Sequence, residues 1–252
     1  MHLYVTILIT VLATCHAFVP DAVNVQETRG YGAYADQKGL LTDFLEKFRE
    51  KMRKGDAKLG IPVLDPLKVN QLNLNIHEEE LVSLEGYLKN IHGIGLSDYK
   101  VIRGDFSIVG LVVNVSLLFN QIDFMTEYNV NGTLMDQMLL YGHGNIALVM
   151  KGLGVSVNLK VGFTESEKIV VKDLVLNVHV KTFDLKMTGL FNDDDLSNTL
   201  SHAISEVLPG LLDDYQNEIS SKASPIVANF LNKFLKKFSL NDLLDIIGGQ
   251  HR

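Results

Sequence analysis

The chain has 252 residues, 46% hydrophobic and 21% charged, with 20 glycines and only 5 prolines. That composition is globular and excludes disordered, collagen-like and low-complexity classes. A net charge of -7 without a basic block argues against a nucleic-acid partner, which needs a cationic face against phosphates, and against strong electrostatic docking on an anionic membrane.

In chain order, Met1 to Ala17 comes first. Leu3 to Ala13 is an apolar run of signal-peptide length, and Cys15 and Ala17 supply the small residues of a cleavage site. The run is too short to cross a bilayer. The expectation is a secreted, extracellular protein cleaved after Ala17, with no integral membrane segment. Cys15 is the single cysteine, so the mature chain would hold no thiol, disulfide or Cys-ligated zinc. Phe18 to Ala35 is polar and aperiodic and reads as a flexible arm, ahead of one domain from Asp36 to Arg252.

From Asp36 the period is helical. Leu40, Leu41, Phe44, Leu45, Phe48 and Met52 share a face opposite Glu46, Lys47, Glu50, Lys51 and Arg53, and Gly55 and then Gly60 to Pro62 end the run. Pro66 to about Met187 alternates in the manner of seven or eight antiparallel strands. Turns are expected at His92-Gly93, Arg103-Gly104, Gly142-His143-Gly144 and Lys151-Gly152, and long strands over Asp105 to Phe119 and Lys172 to Thr188. Asn192 to Phe238 is helical again, with Asn192 as cap and Asp193, Asp194 and Asp195 in the first turn. Its apolar stripe, which includes Leu208, Leu211, Leu212 and Tyr215, predicts a helix of about 65–70 Å, kinked or split at Pro209 and Pro225. The fold class is α+β: a strongly curved antiparallel sheet wrapped around this helix, leaving an apolar interior between elements of different curvature.

Four motifs stand in order along most of the chain: Gly60-Ile61-Pro62-Val63-Leu64-Asp65-Pro66-Leu67, Tyr128-Asn129-Val130-Asn131-Gly132, Gly142-His143-Gly144, and Leu190-Phe191-Asn192 with Glu206-Val207-Leu208-Pro209 after it. Together they resemble the insect takeout and haemolymph juvenile-hormone-binding proteins. The resemblance implies a tubular lipid-binding fold that carries a small hydrophobic ligand in an internal tunnel. The chain departs from that pattern in having no cysteine pair within Phe18 to Ala57 and no proline within Asn120 to Glu127.

Catalytic and metal chemistry finds no footing. His77-Glu78-Glu79-Glu80-Leu81 has Leu81 where a zincin needs its second histidine, and reads as an acidic turn. Gly142 to Ala147 fits G-x-G-x-x-A, but strand alternation continues after it where a dinucleotide site needs a helix. Asp193 to Asp195 lack the glycine and terminal glutamate of a calcium loop. His77, His92, His143, His179, His202 and His251 show no ligand spacing, and no G-x-S-x-G occurs. No enzyme activity, cofactor or metal is expected.

Two sequons, Asn114-Val115-Ser116 and Asn131-Gly132-Thr133, are candidate glycosylation sites, and they orient the sheet because a glycan must point outward while a strand alternates. With Asn114 outside, Val109, Leu111, Val113, Val115 and Leu117 face inward. With Asn131 outside, Phe124, Tyr128 and Val130 do. The same logic places Leu148, Met150, Val157, Leu159, Leu176 and Val178 inside. These residues, with Leu208, Leu211, Leu212 and Tyr215, form the candidate ligand-binding set. Tyr128 is its polar exception; its hydroxyl either meets the polar group of a ligand or bonds a neighbouring backbone carbonyl. The functional expectation is a secreted carrier of a juvenile-hormone-like terpenoid, fatty acid or related lipid. The alternative is a secreted structural or interaction protein of the same fold with a filled core.

Overall fold

The computed structural model describes residues 39–57, 61–78, 82–107, 110–134, 138–164 and 168–235. The expected signal peptide, the N-terminal arm and Val109 lie outside these residues. The elements in chain order are α1 (Leu40–Lys54), β1 (Leu67–Glu78), β2 (Val82–Ile94), β3 (Tyr99–Ser107), β4 (Val112–Leu134), β5 (Met138–Phe163), β6 (Ile169–His179), β7 (Thr182–Met187), α2 (Asp194–Asp214) and α3 (Gln216–Leu235).

The seven strands form one curved antiparallel sheet that does not close. Its spine is the β4–β5 hairpin, paired from Val112 opposite Lys160 to Leu134 opposite Met138. Along the outer edge of β4 lie β3 and then β2, with β1 beyond β2; along the outer edge of β5 lie β6 and β7. Inward positions on β4 are Val113, Val115, Leu117 and Phe119, then Ile122, Phe124, Thr126, Tyr128 and Val130. On β5 they are Ile146, Leu148 and Met150, then Leu153, Val155, Val157, Leu159 and Val161. The alternation skips a residue at facing places on the two strands, around 120–121 and 151–152, while the register continues from Phe119 opposite Leu153 to Gln121 opposite Lys151. Gly152 has φ 63° there, a conformation that costs a residue with a Cβ. The flanking strands also change at this point, from β3 to β2 and from β6 to β7.

The glycine pairs read as turns lie inside strands: Gly93 in β2, Gly104 in β3, and Gly142, Gly144 and Gly152 in β5. What they provide is close approach. A Cβ on Gly104 would stand 2.7 Å from the Thr42 hydroxyl of α1, and one on Gly142 would stand 2.5 Å from the Gly189 carbonyl oxygen. Conversely, the strand expected from Asp105 to Phe119 is interrupted by a turn, where Gly110 and Leu111 have φ of 87° and 52°. The one expected from Lys172 to Thr188 divides into β6 and β7.

The C-terminal helix is likewise two helices. Pro209 and Pro225 sit inside α2 and α3, and the break falls at Tyr215. The cap is Asp193, one residue after the expected Asn192; its carboxylate accepts from the Leu196 N–H at 2.9 Å. Tertiary geometry explains the site of the break. The polar side chains of α2 serve the edge of β7: the Leu185 N–H donates to Ser205 Oγ at 2.9 Å, Met187 to Ser201 at 3.0 Å and, just past the strand, Leu190 to Ser197 at 2.8 Å. Those of α3 serve β6: Val178 donates to Gln216 Oε1, Leu176 to Ser220 and Val171 to Asn232. One helical turn of four residues rises about 6 Å and two strand residues advance about 6.6 Å, so an i, i+4 series of hydroxyls keeps step with alternate N–H groups. The helix changes direction where the edge passes from β7 to β6.

The free edge of β3 is served similarly by α1. Thr42 Oγ1 donates to the Gly104 carbonyl at 3.2 Å and Arg49 donates to the Tyr99 carbonyl. Arg49 also lies 4.9 Å over the Tyr99 ring, whose hydroxyl donates to the Leu45 carbonyl at 2.6 Å.

Candidate functional site

The inward side chains gather in three apolar groups along the spine. At the β4–β5 hairpin end, Leu72, Leu74, Leu84, Leu88, Ile91 and Tyr128 pack together, with Val130 and Phe124 against them. In the middle, Leu148, Val180, Phe183 and Leu185 meet Leu208, Leu212 and Ile219, with Met150 and Tyr215 alongside. At the far end, Leu159, Leu174, Leu176 and Ala223 are joined by Val113, Val157, Val178 and Val227. Phe124 and Ile146 belong to the first two groups, so these share a continuous wall.

The structure thus places Val113, Val115, Leu117, Phe124, Tyr128, Val130, Leu148, Met150, Val157, Leu159, Leu176 and Val178 on the face that strand parity assigned to them. Leu208, Leu212 and Tyr215 join them from α2 and its C-terminal cap, with Leu211 half-buried beside them. Leu111 departs from the expectation: it is a turn residue and not a strand residue, and its carbonyl accepts from the Val161 N–H at 2.9 Å. Of the sequons, Asn131 is exposed, whereas Asn114 is half-buried and accepts from Asn158 Nδ2 at 2.5 Å.

Burial along this wall is uneven. Leu148 is only 2% exposed, yet Val113, Val115, Leu117, Val155 and Val157 are each half-buried although they are apolar and point inward. They lie on the part of the spine between α1, which packs on β3, and α3, which packs on β6. The inner face of the spine there is aliphatic and only partly covered, a surface of the kind that hydrocarbon covers. A groove of about 530 Å³ lies between β6 and α3, lined by polar residues such as Lys172, Asn177 and Ser221 and by apolar ones such as Val171, Leu174 and Pro225.

Tyr128 is 4% exposed and its hydroxyl donates to the Thr188 carbonyl at 2.8 Å, so its proton goes to the backbone. Burial, with a smaller contribution from the Asp194 charge, pushes its pKa up to about 12; burial does the same for Tyr99, opposed by Arg49 and reinforced by Glu46. Tyr128→Phe should lower ligand-free stability by about 1–2 kcal/mol by orphaning the Thr188 carbonyl, as read from denaturant unfolding. Unchanged stability would mean that this bond does not form. Both phenols hold their protons more tightly folded than unfolded, so their contribution is complete below pH 10 and fades as pH rises through 12. Melting temperature should fall more steeply between pH 10 and 12 in the natural protein than in a Tyr99→Phe, Tyr128→Phe double variant.

Among the described residues, no group of three or more His, Cys, Asp or Glu side chains converges as a metal site would require. None of the described helices is long and apolar enough to cross a membrane. The polar edge caps were not anticipated from the sequence. Their signal is present in the four-residue spacing of Ser197, Ser201 and Ser205 and of Gln216 and Ser220.

The family model described as haemolymph juvenile hormone binding protein (JHBP) matches residues 11–245. Among solved structures, the chain is similar to Takeout 1 of Epiphyas postvittana, with a TM-score of 0.53 and 16% identity, over 79% of this chain and 92% of that one. It also matches a lipopolysaccharide binding protein with a TM-score of 0.34 and 15% identity, over 80% of this chain and 40% of that one. At 16% identity the likeness to Takeout 1 is one of fold. No curated protein matches the sequence.

Proposed function

Because the chain belongs to the haemolymph juvenile hormone binding protein family, we propose that it is a secreted, non-enzymatic carrier of a small hydrophobic ligand held along the inner face of the β4–β5 spine. The ligand class is a juvenile-hormone-like terpenoid, a fatty acid or a related lipid. The observation that carries this reading is the row Val113, Val115, Leu117, Val155 and Val157, apolar and inward but incompletely covered. A filled core would bury such a row, whereas a lipid chain laid along it would cover it at roughly 25 cal/mol per Å².

The test is mass spectrometry of an organic extract of the natively purified protein. A stoichiometric apolar molecule is expected. A protein that yields none, and takes up no fluorescent fatty acid, has a filled core and the structural or interaction role instead. Export is tested separately: the secreted protein should begin at Phe18, and an intact Met1 to Ala17 segment would refute cleavage after Ala17.

A further inference from the structure

Among the described residues the sheet has three edges with no further strand on them, and side chains serve two of these. The β6–β7 edge is capped by Ser201, Ser205, Gln216, Ser220 and Asn232, and the β3 edge by Thr42 and Arg49. The third is β1, which pairs with β2 on one side; among the described residues nothing hydrogen-bonds to its other side. An uncapped edge is a template for another strand, and monomeric proteins guard such edges with lysines, prolines or inward charges. From Val69 to His77, β1 carries none of these, in a chain that is 21% charged. Its outward positions there include Gln71, Asn73 and Asn75, and Leu72 and Leu74 are already buried against the sheet.

We propose that the outer edge of β1 is where a second copy of this chain adds, strand against strand, to give a two-fold dimer with a continuous sheet. The two-fold axis makes the pairing antiparallel. That sets the Lys68 end of β1 beside the Glu78 end of the partner copy's β1, so opposite charges meet twice. Between those ends the uncharged stretch is where two copies of net charge -7 approach with least repulsion. Alternation is self-complementary: in a pairing centred on Leu74, Leu72 faces Ile76 of the copy and Asn73 faces Asn75, so apolar meets apolar on one face and amide meets amide on the other.

The experiment is analytical ultracentrifugation of the full mature protein across micromolar concentrations, beside Asn73→Lys, Asn75→Lys. Both substituted positions are exposed, so the melting temperature of the dilute monomer should be unchanged while the dimer dissociation constant rises at least tenfold. As a positive readout, an Asn73→Cys, Asn75→Cys variant lacking Cys15 should form an intermolecular disulfide on mild oxidation, whereas Asn158→Cys, also exposed but on the spine, should not. A protein that stays monomeric at 100 μM overturns the proposal, as does a dimer indifferent to the two lysines. A monomer in which the β1 amides that point away from β2 are nonetheless protected from exchange also overturns it, the edge then being covered by another segment of the same chain.

Discussion

Asp65→Ala is expected to destabilise the protein by about 3–4 kcal/mol, the largest single-residue effect predicted for it outside the packed core. The Asp65 carboxylate accepts from the Gly95 N–H at 3.1 Å, from the Ser97 N–H at 2.7 Å and from the Ser97 hydroxyl at 2.6 Å. Ser97 is 1% exposed, and its oxygen accepts from Arg53 Nε of α1 at 2.8 Å. The backbone N–H groups of Leu64 and Asp65 both donate to the Met52 carbonyl near the end of α1. One carboxylate therefore joins α1, the approach to β1 and the connection from β2 to β3. Removing it leaves the Gly95 N–H and the N–H and hydroxyl of buried Ser97 without their acceptor, at about 1–3 kcal/mol for each buried donor, and loosens the Ser97 side chain that holds Arg53. Asp65→Asn keeps one acceptor oxygen and should cost about half as much. The check is chemical denaturation of the three proteins, and equal stability of the alanine and natural forms would refute the role.

Asp65 lies in the Gly60 to Leu67 motif that carried the family resemblance, so the sequence pointed to it before the structure explained it. Strand faces were legible for a related reason: taking Asn114 and Asn131 as outward sets one side, and alternation extends that choice along β4, β5 and β6. Alternation failed where the chain does something that a single strand cannot reveal. A glycine in a turn and a glycine under a crossing backbone look alike in sequence. Gly104 is glycine because Thr42 of α1 lies against it, and Thr42 is 62 positions away. Proline signalled a division of the long helix but not its place. Pro209 and Pro225 forfeit one backbone bond each inside their helices, and the break at Tyr215 is set by the sheet edge that the helices seal. The serines of α2 look like interruptions of an apolar stripe until the N–H groups of β7 are placed opposite them.

Val113→Phe and Val157→Phe are expected to abolish uptake of a fluorescent fatty acid while leaving the ligand-free melting temperature close to that of the natural protein. Both valines are half-buried on the inner face, on neighbouring strands, since Val157 pairs with Val115 and Val113 with Leu159. A larger side chain forced into a solid core costs about 1–3 kcal/mol through off-rotamer neighbours and shifted backbone. On an incompletely covered face the added ring meets space and covers apolar wall, so strain and burial offset each other. The same ring occupies the path of a hydrocarbon chain, and the loss appears in binding. Leu148→Phe is the internal comparison, because Leu148 lies on the same β5 face, is 2% exposed and packs among Val180, Phe183 and Leu208. That substitution should show the full penalty of a filled site. If Val113→Phe and Val157→Phe destabilise as much as Leu148→Phe, the wall at residues 113 and 157 is packed through, and the carrier reading gives way to the filled-core one. If they leave both stability and uptake unchanged, the ligand lies elsewhere than along this part of the spine.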